Sequence, residues 1–395
     1  MFQFMTATRI IFGEGALNNS FSIFNNYGYS ALVVTGRDDQ RAEPLLTYLS
    51  QQNIRYQRLA VHDEPLIAMV EEMAAAGRLF KPDMVIAIGG GSVMDVGKAL
   101  SALIPNQGSV YDYVEVVGRA LPFTAKPLPC IAIPTTAGTG SEVTRNAVMI
   151  SAQEKVKAAI RSPDLIPDVA IIDPTLTYGA EKSLSARCGM DAFTHLMEAY
   201  VCSEPNPLTD MICEEGLRRL APAIIHACED DDPKARADMA FASMLGGMAQ
   251  SNAKLGSAHG LAAVLGAVLD APHGVITAQL APYVMAENVL AAREAGRITL
   301  LNRYRQLACI LTGRMNAEPS DGIVWVQRTL KRLELPLLCQ YGLCESVFND
   351  VVTRAMKLSS IKGNAMPLNE ERLTNILSRM CKEESVSESL SPNPS

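Results

Sequence analysis

The chain has 395 residues, of which 48% are hydrophobic and 19% are charged, and its formal net charge is -7. This length accommodates two domains with separate cores, and the acidic balance argues against nucleic acid or an anionic membrane as a partner. No uninterrupted apolar stretch is long enough to cross a bilayer, and residues 1–15 lack the pattern of a secretory signal peptide. The nine cysteines are odd in number and form no CxxC pair, so we expect a reduced, cytoplasmic protein.

The first half of the chain alternates predicted strands with helices. Most of the strands are continuous apolar runs, which is typical of strands buried on both faces of a parallel sheet. They are expected at 8–13 (a short strand or hairpin arm), 30–36, 55–61, 84–88, 130–134 and 169–174. The helices between them are expected at 42–52, 65–79 and 93–103. This alternation predicts an α/β domain with a mostly parallel, doubly wound, Rossmann-like sheet over residues 1–180.

After Thr177 the pattern changes to one helix after another. From Ser183 to about Lys382, Ala, Leu and Met are frequent, and no β-branched run indicates a strand. We therefore predict a second, all-α domain over residues 181–382. The remaining residues, 383–395, are rich in Ser, Glu and Pro and are expected to form a disordered tail.

Two loops of small residues each follow a predicted strand of the α/β domain. In the first, the segment Gly89-Gly90-Gly91-Ser92 leads into a helix, where glycines permit close backbone approach and helix N-terminal amides attract an anion. The second loop, 135–141, adds hydroxyl groups to the amides. Doubly wound sheets bind ligands at this edge. Two such loops suit a dinucleotide better than a mononucleotide, although the first alone is also compatible with a tight strand–helix turn.

Asp191 and His195 stand four residues apart in a predicted helix, so their side chains share one face. Their neighbours are apolar, which places the pair inside the protein, where an unpaired carboxylate would be costly. His259 and His273 follow, and the chain has only five histidines. One carboxylate and three imidazoles suit a divalent ion such as Fe(II) or Zn(II) and leave room for a substrate oxygen. The alternative is that Asp191 caps or pairs locally and that each histidine is an ordinary, satisfied residue.

Four ordered motifs resemble those of one family. They are Gly-Gly-Gly-Ser-x-x-Asp-x-x-Lys at 89–98, Pro-Thr-Thr-Ala-Gly-Thr-Gly-Ser-Glu at 134–142, Gly-Met-Asp-Ala-Phe-Thr-His-x-x-Glu-Ala-Tyr at 189–200 and Ala-Pro-His-Gly at 271–274. Over about residues 8–380 the chain is similar to the iron-containing, group III alcohol dehydrogenases. The resemblance implies a dehydroquinate synthase-like architecture, with an N-terminal domain for NAD(P), a helical domain for one metal ion and catalysis in the cleft between them.

The resemblance also implies the site residues. The metal ligands, which would also be the catalytic residues, are Asp191, His195, His259 and His273. The cofactor would be bound by Gly89, Gly90, Gly91, Ser92, Asp95, Thr135, Thr136, Thr139, Ser141 and Lys157. Among these, Asp95 is expected to orient the cofactor or its loop. Lys157 is expected to contact a ribose, unless it is a solvated surface lysine.

The choice of cofactor depends on the residues at the end of the strand at 30–36. Relatives that prefer NAD often carry an Asp there, whose carboxylate binds the ribose hydroxyls and repels a 2′-phosphate. This chain has Gly36 and Arg37 instead. Gly36 removes the repulsion and Arg37 can pair with the phosphate, so we expect NADP. NAD is the alternative, if Arg37 is only a solvated loop residue.

The predicted function is that of a metal-dependent, NAD(P)-linked alcohol dehydrogenase, which interconverts a small alcohol with an aldehyde or ketone. The metal, Fe(II) or else Zn or another divalent ion, is expected to polarise the substrate oxygen while hydride moves to or from the nicotinamide. The alternatives are a glycerol dehydrogenase-like polyol oxidoreductase and a catalytically weak relative that binds nucleotide and metal. Ala263 stands where many relatives carry a further His, which leaves the proton route open. The family is commonly dimeric, and residues 8–12 are a candidate part of a homodimer contact.

Overall fold

The structure, a computed structural model, describes residues 1–38, 40–154 and 156–382. Its described residues form two compact units, one of Met5–Gly179 and one of residues 180–382 together with Met1–Phe4. A parallel sheet with helices makes up the first unit and helices make up the second, which confirms the predicted fold class. The tail predicted to be disordered, 383–395, lies outside the described residues.

A six-stranded parallel sheet forms the centre of the α/β unit. Its strands are β1 (Arg9–Phe12), β2 (Ser30–Thr35), β3 (Arg55–Ala60), β4 (Met84–Gly89), β5 (Cys130–Pro134) and β8 (Val169–Ile172), in the spatial order β1-β8-β5-β4-β2-β3. Strands β2, β4, β5 and β8 are buried along their whole length, as expected where both faces of a sheet are covered. The other two strands, β6 (Asn146–Ser151) and β7 (Val156–Arg161), form a separate antiparallel hairpin.

The apolar side chains of this sheet divide into two cores. Helices α1 (Ala16–Asn19), α2 (Glu43–Gln51), α3 (Ile67–Phe80) and α4 (Gly91–Leu103) complete the unit. Leu32 of β2 belongs to the core that contains Met94 of α4, whereas its neighbour Val33 belongs to the core that contains Leu45 of α2. Successive side chains of a strand point to opposite faces, so only a continuous apolar run can fill both layers.

Three features of this unit refine or differ from the expectations drawn from the sequence. The N-terminal segment is an edge strand, β1, paired in parallel with β8. The hairpin of β6 and β7 was not predicted, although the strand β6 alternates half-buried and buried positions. Alanines at two buried positions, Ala147 and Ala158, weaken the hydrophobic pattern that would mark these strands. Helix α4 begins at Gly91 rather than Val93, with Gly90 as its N-cap.

Ten helices make up the second unit within the described residues. They are α5 (Lys182–Val201), α6 (Pro207–Glu229), α7 (Pro233–Asn252), α8 (Ser257–Val268), α9 (His273–Glu294), α10 (Ile298–Thr312), α11 (Pro319–Arg332), α12 (Phe348–Ala355), α13 (Ser359–Gly363) and α14 (Glu370–Cys381). Asn206 and Asp232 cap α6 and α7, and a proline opens each helix. Helices α5 and α9 are buried almost all round, so they form the centre of this unit. None of the described helices is long and apolar enough to span a membrane.

Candidate functional site

Helix α5 carries the first two predicted metal ligands on its buried face. Asp191 and His195 are one helical turn apart, and their side chains are only 3% and 5% exposed. The Nδ1 atom of His195 lies 3.9 Å from Oδ2 of Asp191. A carboxylate this deeply buried requires compensating positive charge, and an adjacent imidazole can carry part of it.

The other two predicted ligands approach the same carboxylate from two further helices. His259, in the first turn of α8, places Nε2 3.7 Å from Oδ1 of Asp191. His273, the first residue of α9, places Nε2 4.0 Å from that oxygen, and its side chain is 30% exposed. The rings of His195 and His259 stack with their centroids 4.3 Å apart. The structure therefore brings all four predicted residues together around one carboxyl group.

The donor atoms of this cluster are suited to a metal ion. Asp191, His195 and His259 each offer one ligand atom, and these atoms all lie within 4.8 Å of one another. The Nε2 atom of His259 is buried and has no hydrogen-bond partner among the described residues. Carboxylate oxygen and imidazole nitrogen are donors that both Fe(II) and Zn(II) accept. The residues present therefore fit the predicted metal, with His273 at the more exposed rim.

Two contacts hold Asp191 in place. Thr277, one turn after His273 on α9, donates its hydroxyl to Oδ1 of Asp191 over 2.8 Å. Gly274 lets the start of α9 pack closely on α5, since a Cβ there would lie 2.4 Å from the carbonyl oxygen of Arg187. Thr277 was not predicted as a site residue. Its spacing of four residues from His273, on the same helical face, is the signal that could have found it.

Opposing effects set the protonation of the cluster. Burial on its own would raise the pKa of Asp191, but the charge of His195 and the contact with His259 hold that pKa well below its usual range. Burial would likewise lower the pKa of His259, but Asp191 and Glu198 outweigh it and raise that pKa to about 9. Two carboxylates beside one imidazole favour a positive charge at this position, whether a proton or a metal ion supplies it.

Glu198 is a second buried acid of the site, for which no role was predicted from the sequence. It lies on α5, and its Oε2 is 2.7 Å from Nδ1 of His259. It stands seven residues after Asp191, within the motif at 189–200. Seven residues are close to two helical turns, so the spacing alone places both acids on one face of α5 and could have identified Glu198.

In the α/β unit, the two predicted loops of small residues meet beyond the carboxyl ends of β4 and β5. A Cβ on Gly91 would lie 2.7 Å from the methyl carbon of Thr139, and one on Gly90 would lie 3.5 Å from Thr136. The first amides of α4 have no acceptor within the helix. These loops present a surface of backbone and small side chains of the kind that binds phosphate. Seven of the predicted cofactor residues lie here: Gly89, Gly90, Gly91, Ser92, Thr135, Thr136 and Thr139.

A buried network stabilises the second of these loops. The hydroxyl of Ser141 donates to Oδ1 of Asp95 over 2.6 Å and accepts a hydrogen bond of 2.6 Å from Nζ of Lys98. The Lys98 side chain is fully buried and also donates to Oγ1 of Thr144 and to the carbonyl oxygen of Asn146. Asp95 and Ser141, both predicted to bind cofactor, are thus joined to each other. Lys98 ends the motif at 89–98 but received no role from the sequence.

Gly36 and Arg37 follow β2, as the cofactor prediction requires. Among the residues that the structure describes, a Cβ on Gly36 would approach only the carbonyl oxygen of Asp38, at 4.0 Å, which leaves room for a side chain at this position. Arg58 of β3, which the sequence analysis did not single out, donates to Oγ1 of Thr35 over 2.8 Å and to the carbonyl oxygens of Gly36 and Arg37. Arg58 therefore supports the backbone of this turn. Only the pairing of β2 with β3 places it there.

Lys157, the last predicted cofactor residue, lies on β7 of the hairpin. Its side chain is 10% exposed, and Nζ lies 2.7 Å from a carboxylate oxygen of Glu64. The ammonium group is therefore held by an ion pair rather than solvated. Its contact with a ribose stays a prediction.

Comparison with known proteins identifies the family. The model of the iron-containing alcohol dehydrogenases matches residues 7–174, and that of the C-terminal region of the Fe-containing alcohol dehydrogenase family matches residues 185–381. Alcohol dehydrogenase 4 of Saccharomyces cerevisiae is 37% identical over 377 residues, which cover 93% of this chain and 95% of the relative. The NADPH-dependent butanol dehydrogenase of Clostridium saccharobutylicum is 31% identical over 393 residues, with coverages of 95% and 97%. The crystal structure of a 1,3-propanediol oxidoreductase has a TM-score of 0.87 at 30% identity and covers 96% of this chain and 100% of its own. As predicted, the chain belongs to the iron-containing alcohol dehydrogenase family and is an oxidoreductase of the alcohol dehydrogenase class.

Proposed function

We propose that the chain interconverts a small alcohol with its aldehyde or ketone, using NADP and one Fe(II) ion. The ion would be held by Asp191, His195, His259 and His273. One observation carries the proposal: three imidazoles approach a single buried carboxylate to within 4.0 Å. In addition, Nε2 of His259 is buried and has no hydrogen-bond partner among the described residues. Ring nitrogens of buried structural histidines ordinarily have such a partner.

The residues of the helical unit have distinct tasks in this proposal. A divalent ion at this site supplies Lewis-acid polarisation of a substrate oxygen, which prepares the carbon for hydride exchange with a nicotinamide. Asp191 contributes negative charge, and the hydroxyl of Thr277 fixes its Oδ1 atom. His195 and His259 are buried and keep water away from the carboxylate. His273 is the most exposed ligand, so it borders the side from which a substrate would approach.

Preference for NADP is supported by the turn after β2. Gly36 offers no carboxylate to repel a 2′-phosphate, and Arg37 is an exposed cation at the next position. The similarity to a butanol dehydrogenase named as NADPH-dependent points the same way. An arginine that pairs with phosphate forms charge-assisted hydrogen bonds, which are stronger than neutral ones.

The proton route is proposed to run through water. Ala263 lies one turn after His259 on α8, so this helix provides no second imidazole there. His226 is exposed and lies 2.8 Å from Oδ2 of Asp230, and His62 is exposed in the α/β unit. We therefore expect slow turnover of short alcohols and no inflection in the pH profile of kcat near about 6.5, the ordinary pKa of histidine. A histidine-like inflection assigned to a residue other than the four ligands would contradict this route.

Reconstitution of the metal-free full chain tests the whole proposal. Fe(II) or Zn(II) is added anaerobically, and a panel of aldehydes and ketones is assayed with NADPH and NADH in parallel. We expect one metal ion per chain, the greater activity with Fe(II) and a lower KM for NADPH. A lower KM for NADH would overturn the cofactor preference. Stoichiometric metal without turnover of any substrate would instead indicate the non-catalytic relative.

The oligomeric state and the cellular compartment of the protein are also proposed. Strand β1 lies at one edge of the sheet, and an unpaired strand edge is a surface on which a second copy can pair. We therefore propose a homodimer that uses residues 8–12, and a monomer mass by light scattering would contradict it. None of the nine cysteines, all of which lie in the described part of the chain, forms a disulfide, which supports the proposed cytoplasmic location.

A further inference from the structure

The carboxylate of Glu198 caps the N-terminus of helix α8. Its side chain is 2% exposed, and its oxygens accept the backbone amides of Gly256 over 2.9 Å, Ala258 over 2.7 Å and His259 over 3.4 Å. These amides belong to the N-cap and the first turn of α8, where helical hydrogen bonding leaves donors free. A negative charge is favoured at this end of a helix dipole. Glu198 thus ties the start of α8 to α5.

The same carboxylate holds the ring of His259. The distance of 2.7 Å between Oε2 and Nδ1 is typical of a charge-assisted hydrogen bond. Because a carboxylate only accepts, Nδ1 is the ring nitrogen that keeps its hydrogen. Nε2 is then the nitrogen that presents a lone pair, and it faces Oδ1 of Asp191 at 3.7 Å. The tautomer that a metal ligand requires is selected by the protein itself.

The surroundings of Glu198 leave its carboxylate little freedom. A Cβ at Gly256 would lie 2.6 Å from Oε1 of Glu198 and 2.8 Å from Oδ1 of Asn364, so a larger residue would displace both. Asn364 accepts the amide of Ser257 over 3.0 Å and donates to Oδ1 of Asn288 over 2.7 Å. A side chain surrounded in this way keeps one position, which in turn fixes the positions of the groups that hydrogen-bond to it.

We propose that Glu198 is a positioning residue of the metal centre. It selects Nε2 of His259 as the ligand atom and sets the position of that ring relative to Asp191. The inference rests on the proposed metal site and extends it to a residue outside the four ligands. A helix cap alone would explain the bonds to the backbone amides but would place no demand on the tautomer of His259.

Titration of the metal-free full chain with Co(II), followed by absorption, tests this role in Glu198→Gln. Gln has one oxygen where Glu has two and carries no charge, so it cannot accept from both the Ala258 amide and Nδ1 of His259, and the charge-assisted bond to the ring is lost in either orientation. Where its NH2 group faces Nδ1, the ring hydrogen is forced onto Nε2. Removal of such a partner typically weakens metal binding by about 10–100-fold, and we expect a loss of that size. The matched control is Glu287→Gln, because Glu287 is another buried acid of this unit, 5% exposed, that pairs with Arg372. It should leave Co(II) affinity unchanged.

A second control separates positioning from capping. Asn364→Ala removes an acceptor from the start of α8 without touching the ring of His259. If Glu198 acts only as a cap, the loss of Co(II) affinity relative to the fall in Tm should be the same in Glu198→Gln and Asn364→Ala. That result would overturn the proposal. Positioning requires the larger loss in Glu198→Gln. A wild type that binds no Co(II) would instead overturn the proposed metal site, so the two failures are distinguishable.

Nitrogen-15 NMR of the Zn(II)-loaded wild type provides a test that needs no folded variant. The chain has only five histidines, so each imidazole can be followed separately. We expect His259 to bind the metal through Nε2 and to carry hydrogen on Nδ1. Binding through Nδ1 would overturn the proposal, whatever the stability of Glu198→Gln.

Discussion

The helical unit and the α/β unit hold their proposed binding residues in opposite ways. In the helical unit, functional side-chain atoms gather in the interior, and Nε2 of His259 has no hydrogen-bond partner within the described part of the chain. In the α/β unit, the polar side chains Asp95, Lys98 and Ser141 bind one another beside the loops. The surface offered to a phosphate there is mainly backbone. In the proposed function, a side chain of the helical unit would therefore bind its ligand directly, whereas Asp95, Lys98 and Ser141 would act through the shape of a loop.

The largest effect is expected where a side chain acts directly. His259→Ala and Asp191→Asn should lose bound metal, by elemental analysis, and lower kcat about a thousandfold, since metal polarisation contributes several kcal/mol. Cofactor binding should be retained. His226→Ala is the control, because this histidine is exposed and pairs with Asp230. Full metal content in His259→Ala would refute the direct role.

Lys98→Met tests the indirect kind of action. Its loss leaves Asp95 and several buried acceptors without their partner, so we expect the α/β unit to lose about 3–5 kcal/mol of stability in thermal unfolding. The KM for the cofactor should rise while metal content stays at the wild-type level. Lys126→Met is the control, because Lys126 is an exposed lysine of the same unit. Normal cofactor binding in a destabilised Lys98→Met would show that loop shape does not depend on this network.

The turn after β2 should show a smaller effect, confined to the choice of cofactor. Arg37→Ala should raise the KM for NADPH more than that for NADH, by about 10–100-fold in the ratio, because one charge-assisted contact contributes roughly 1.5–3 kcal/mol. Gly36→Asp should shift the preference in the same direction. In the control, Arg41→Ala, both KM values should change alike, since Arg41 binds the carbonyl oxygens of Leu176 and Tyr178. If the ratio of the two KM values is unaltered in Arg37→Ala, Arg37 is a solvated residue that does not contact the cofactor.

The smallest effect expected is on the pH dependence of stability. The pKa of His259 is raised from 6.5 to about 9 in the folded, metal-free chain, so its stabilising contribution is fully present below about 6.5 and is lost as pH rises through about 9. A bound metal ion replaces that proton, so metal-dependent stabilisation should grow over the same range. Tm should be measured from pH 6 to 9.5 with and without Zn(II), and we expect changes of a few degrees. If Tm depends on pH in the same way in His259→Ala, the pH dependence of stability comes from another group.

The sequence by itself determined the family, the two kinds of unit and the residue types of the site. Asp191 and His195 share one helix, and the segment at 89–92 follows its strand directly, so these patterns are local. Backbone geometry alone fixes which side chains share the face of a helix or strand, and a periodic pattern therefore predicts it. The hairpin at 146–161 was missed because its short, alanine-containing strands carry little of that pattern.

Only the tertiary structure decided which distant partner each polar side chain meets. Glu198 reaches a histidine 61 positions further along the chain, and Lys98 reaches a serine 43 positions away. Thr277 similarly binds a carboxylate 86 positions before it. Such pairs exist because a buried polar atom is costly without a partner, and the partner is supplied by helices and loops whose packing no local sequence pattern reveals. The sequence contained all three residues inside or beside its motifs, but their roles became visible only where the packed elements brought the atoms within hydrogen-bond distance.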